Sequence, residues 1–63
     1  MKDYCVFFWT VSNNIKSREA YQADTKREAI EIAEKNMNVA NGSIHVRKLN
    51  KTNDMYETEI VFI

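Results

Sequence analysis

The chain has 63 residues, of which 44% are apolar and 29% charged, and its nine basic residues are balanced by nine acidic ones. Those figures describe a single globular domain over residues 1–63 and exclude a disordered or fibrous chain. They also exclude the broad basic field of a typical nucleic-acid or anionic-membrane binder, while leaving room for a local patch.

Folding a chain of this size buries only about 60% of its surface, and small domains commonly add a disulfide, a metal or a partner subunit. Cys5 is the one cysteine and His45 the one histidine, so neither an internal disulfide nor a Cys/His zinc site can be built. Oligomerisation is the staple left open. A lone cysteine suits a reducing compartment, and no apolar run reaches the length of a signal peptide or a membrane span. The expectation is a soluble, cytoplasmic protein with no cofactor, no metal and no membrane partner.

The sequence holds no proline and a single glycine, Gly42. Asparagines supply the punctuation at Asn13-Asn14, at Asn41-Gly42 and in the stretch 50–54, because Asn tolerates positive φ and bonds its own backbone. Residues 4–11, rich in aromatic and β-branched side chains, predict a first strand. Asn13-Asn14 then makes a two-residue hairpin turn into a second strand, Ile15–Ala23.

Thr25 and Glu28 have the spacing of a capping box, with Thr25 accepting from the Glu28 backbone N–H and the Glu28 side chain reaching back to Thr25. Ala29, Ile30, Ile32, Ala33, Met37 and Ala40 fall on one side of the helix this starts. Asn41-Gly42 provides its stop signal. Residues 43–49 and 55–63 alternate as a hairpin. With 50–54 as its loop, Leu49 pairs with Met55, Arg47 with Glu57, Val46 with Thr58, His45 with Glu59 and Ile44 with Ile60. The fold expected is α+β, ββαββ, a four-stranded antiparallel sheet with one helix packed on one face.

One helix covers one face of a sheet, yet the first strand is apolar on both. Through the Asn13-Asn14 turn, Val6 meets Tyr21, Phe8 meets Glu19, Phe7 meets Ala20, Trp9 meets Arg18 and Val11 meets Lys16. Ala23 just before the helix should point inward, which puts Val6, Phe8 and Tyr21 on the helix side. Phe7, Trp9, Val11, Lys16 and Arg18 then lie on the open face; a one-residue slip would reverse the two. Either loops or the apolar tail Ile60-Val61-Phe62-Ile63 cover that face, or it is an interface.

Chemistry-bearing patterns are sparse. One glycine cannot build a phosphate-binding loop. Cys5 in an apolar strand reads as a packing residue, and His45 as a solvent-side residue beside Glu59. The carboxylates fit capping, cross-strand pairing and a solvated helix face. The chain is therefore expected not to be an enzyme.

The segment 23–29, Ala-Asp-Thr-Lys-Arg-Glu-Ala, after two strands resembles the strand-to-helix junction of phage-integrase arm-type DNA-binding modules. That resemblance implies a sheet laid in the major groove. The sequence departs from the pattern in lacking a basic excess and in adding a fourth strand. The same junction is similar to that of small uncharacterised bacterial ββαββ proteins, which implies a fold and no function. The expectation is an interaction module whose open face, carrying Phe7, Trp9, Val11, Lys16 and Arg18, binds a protein or a second copy of itself. A phage or mobile-element inhibitor of a host protein would have this size and style. The alternative is weak DNA or RNA binding through Trp9, Lys16, Arg18 and Arg47.

Overall fold

The computed structural model describes residues 2–63. Strands β1 (Tyr4–Ser12) and β2 (Ile15–Ala23), helix α1 (Lys26–Lys35), and strands β3 (Ile44–Asn50) and β4 (Met55–Phe62) follow in that order. The strands form one antiparallel sheet in the order β2-β1-β3-β4, so the apolar β1 is central. This is the expected α+β, ββαββ architecture.

The β1–β2 hairpin takes the expected register throughout, from Val6↔Tyr21 to Val11↔Lys16. Asn13 and Asn14 stand at φ 53° and 65°, the paired positive values that a two-residue turn needs to match the twist of its strands. Val6, Phe8, Ala23, Ile44 and Val46 face the helix and are buried together with Ala29 and Ala33. The two helix alanines lie one turn apart, and their small side chains let α1 approach the sheet closely.

The start of α1 differs slightly from the expected capping box. Thr25 Oγ1 accepts from the Glu28 N–H at 3.2 Å, but Glu28 Oε2 accepts from the N–H of Asp24, at 3.1 Å, and not from that of Thr25. The helix also stops earlier than the apolar stripe. Asn36 Nδ2 donates to the Ile32 carbonyl at 2.8 Å, taking the acceptor its own backbone N–H would use to continue the helix. Asn36 N–H turns instead to the Ala33 carbonyl at 3.2 Å. Met37, beyond the end of α1, is consequently exposed, while Ala40 still packs against the core.

The β3–β4 register departs from expectation at every pair. Asn50 pairs with Met55, so the turn is 51–54, one residue shorter than the expected loop, and Asp54 takes φ 57°. Leu49 then faces Tyr56, Lys48 faces Glu57 and Arg47 faces Thr58. A bulge between Val46 and Arg47 leaves Glu59 outside the ladder, after which Val46 faces Ile60, His45 faces Val61 and Ile44 faces Phe62. The physical reason is burial. In an uninterrupted strand Ile60 and Phe62 would share the face of Tyr56 and Thr58, and the extra residue turns them over to pack on the core.

Candidate interaction surface

The helix packs against one side of the sheet and leaves the other open. Directly paired residues share a face, so Cys5, Phe7, Trp9 and Val11 of β1 lie there beside Arg18 and Lys16 of β2 and His45 and Arg47 of β3. Trp9 is 39% exposed and Val11 49%; Phe7 is half-buried. The apolar tail does not cover this face. Ile60 and Phe62 turn to the core, Val61 is 43% exposed next to His45, and Ile63 is fully exposed.

Aromatic rings and cations are interleaved across the surface. The guanidinium carbon of Arg18 lies 4.6 Å from the Phe7 ring centroid and that of Arg47 lies 4.5 Å from it. The His45 ring stacks on Phe7 at 4.8 Å and 15°, and Lys16 Nζ stands 5.2 Å from the Trp9 centroid. Such contacts contribute about 0.5–1 kcal/mol each at exposed sites. They hold long cationic side chains in place against the sheet. The backbone N–H of Asn41 donates to the Trp9 carbonyl at 2.6 Å, fixing the α1–β3 connection to the strand that carries the surface.

Charge is segregated although the total is zero. Glu19 and Glu57 lie on the helix side through their partners Phe8 and Lys48, Glu28, Glu31 and Glu34 are on α1, and bulged Glu59 reaches Lys26 of α1 at 3.9 Å. Asp24 and Asp54 are in connections, and Asp3 borders the far end of the open face within 3.7 Å of Lys51. The strand positions of the open face hold Lys16, Arg18 and Arg47 and no carboxylate. Among the described residues none of those three cations makes an ion pair. Arg47 Nε and His45 Nδ1 are buried without a hydrogen-bond partner; a polar atom left so costs on the order of 1–3 kcal/mol.

The five residues expected at the interface, Phe7, Trp9, Val11, Lys16 and Arg18, therefore come together on one face, with Arg47 beside them. Two expectations about β3 are corrected. Arg47 does not oppose Glu57, and His45 does not lie beside Glu59, because the shorter turn and the bulge move both acids away. Those changes leave Arg47 and His45 to lean on Phe7. Neither His45 nor Val61 was expected in this cluster, since the β1–β3 pairing that places His45 opposite Phe7 joins segments far apart in the chain.

Elsewhere an open groove of about 600 Å³ runs past Asp3 and the β3–β4 hairpin, where Lys48, Lys51, Glu57 and Glu59 mix both signs of charge. Cys5 is half-buried in register with Arg47. Among the described residues no group of three or more His, Cys, Asp or Glu side chains is placed to hold a metal, and no helix is long and apolar enough to cross a membrane. Comparison with protein-family models, with curated proteins and with solved structures finds no match to this chain.

Proposed function

We propose that this protein is a non-catalytic interaction module that binds an acidic surface of another protein through its open sheet face. The observation that carries the reading is the layer of exposed Trp9 and Val11 and half-buried Phe7 interleaved with Lys16, Arg18 and Arg47, with no carboxylate among those strand positions. Tryptophan and arginine are the side chains that most often dominate the energy of protein interfaces, around an apolar centre with a polar rim. Three cations are few for a polyanion binder, whose affinity scales with the number of phosphates neutralised. Capture with the wild-type chain and with Trp9→Ala, followed by identification of retained proteins, tests the reading. An acidic partner retained by the wild type and lost from a folded Trp9→Ala supports it; equal retention by both removes it.

A second reading, a single-stranded nucleic-acid platform, is favoured by the exposed Trp9 ring with Lys16 against it, an arrangement suited to base stacking beside a phosphate. With Lys16, Arg18 and Arg47 engaged, the slope of log K against log salt would be about −2 for a single strand. Absence of oligonucleotide binding at low salt eliminates this reading.

A further inference from the structure

Resting on the reading of the open face as a protein-binding surface, we infer that Arg18, Phe7 and Arg47 form a clamp for a carboxylate side chain of the partner. Arg18 comes from β2 and Arg47 from β3, on either side of the strand that carries Phe7. Although they start from different strands, both guanidinium centres lie within 4.6 Å of one ring centroid. The two cationic heads are therefore no more than about 9 Å apart, where like charges repel, and among the described residues neither makes an ion pair. The ring offsets part of that repulsion. The remainder is relieved by an anion from outside.

The donors for that anion are already in place. Each guanidinium carries five N–H groups in a planar fork that matches a carboxylate; Arg47 Nε is itself shielded from solvent, so the terminal N–H groups are the ones an outside carboxylate meets. His45, stacked on the same ring, donates or accepts at Nε2 with Ser43 Oγ at 3.0 Å, leaving Nδ1 without a partner. Packing against Phe7 restricts the arginine side chains before the ligand arrives, so less freedom is lost on binding. Charge also selects the occupant. A second copy docked face to face would bring Lys16, Arg18 and Arg47 against their own like charges, whereas a strand or helix bearing Asp or Glu beside apolar residues meets both the clamp and Trp9.

The test uses the full chain, labelled with ¹⁵N, and follows the Arg18 and Arg47 Nε–H and Trp9 indole N–H resonances. A glutamate-rich peptide containing leucines, a single-stranded thymidine oligonucleotide and buffer alone are compared at low salt. The expected result is that the peptide moves both arginine signals and the indole. Arg18→Gln and Arg47→Gln should each weaken it at least tenfold, and Lys16→Gln less than threefold. The double variant should lose less than the product of the single losses, because the two arginines act on one ligand. Arg18→Gln, on the edge strand, keeps the test valid should Arg47→Gln perturb the sheet. If the peptide moves the indole and leaves both arginine signals still, the face binds protein and the clamp is wrong. If only the oligonucleotide moves the face, the protein reading and the clamp fall together. Growth of the particle with concentration in buffer alone, abolished by replacing Glu31 and Glu34 with glutamine, would instead make the acidic helix of a second copy the occupant and overturn the proposal.

Discussion

Phe8 and Trp9 are neighbours in β1 and sit on opposite faces, so the same truncation at the two positions separates stability from binding. Phe8 is buried against Val6, Ile44 and Val46 under the helix alanines. Phe8→Ala should cost about 3–5 kcal/mol, comparable with the roughly 5 kcal/mol total of a small domain, and urea melts should find it largely unfolded at 25 °C. Trp9 lies on the open face, 39% exposed, with Lys16 over its ring. Trp9→Ala should therefore lower stability by about 1–2 kcal/mol, from its partial burial and a lost cation–π contact, and leave a cooperative melt. A Trp9→Ala chain that has lost its cooperative melt assigns the ring to the core and removes the open-face surface.

At the scale of elements, the two hairpins show what local chemistry specifies and what it does not. The β1–β2 register was legible because a two-residue Asn-Asn turn with both residues at positive φ favours one pairing, and that turn placed Phe7, Trp9, Val11, Lys16 and Arg18 together. The β3–β4 register was not. Its loop admits five residues or four, and opposite charges at Arg47/Glu57 and His45/Glu59 made the wrong pairing look plausible. What decides the true one is nonlocal: Ile60 and Phe62 must reach a core built by β1 and α1. The early end of α1 has a local cause, the Asn36 amide, hidden beneath an apolar stripe that runs on past it. Glu59 tests the account of the bulge. Deleting it should remove the bulge and keep Ile60 and Phe62 on the core side, because Ile60 then follows Thr58 directly in the alternation, so the folded circular-dichroism signal should remain. Glu59→Ala, which removes only a long, exposed ion pair with Lys26, should cost less than about 1 kcal/mol. At the other end of the core, Thr25→Ala should cost about 1 kcal/mol through the lost helix cap. A deletion variant that has lost its folded signal would mean that Glu59 is not the extra residue of the strand.

For the whole molecule, zero net charge conceals a dipolar arrangement, with carboxylates on the helix side, at the connections and at the sheet end, and an open face of unpaired cations. Composition alone could not reveal this, because the segregation depends on the strand faces and on the shorter turn and bulge that carry Glu57 and Glu59 away from Arg47. It makes a prediction about self-association with a definite sign. Face-to-face pairing would bury the apolar surface of Trp9, Val11 and Val61, but would also set Lys16, Arg18 and Arg47 against their copies. At low ionic strength that repulsion dominates, and light scattering over a hundredfold concentration range should return the single-chain mass of 7.4 kDa. Raising salt to 1 M shortens the screening length to about 3 Å and weakens the repulsion while leaving the apolar attraction intact, so any dimer should appear only then. Replacing Arg18 and Arg47 with glutamine should bring that dimer down to low salt. Nucleic-acid binding has the opposite sign, since added salt weakens it. A dimer present at low salt and dissociated by added salt would place opposite charges across the contact, and so locate the self-association on the acidic helix meeting the basic sheet.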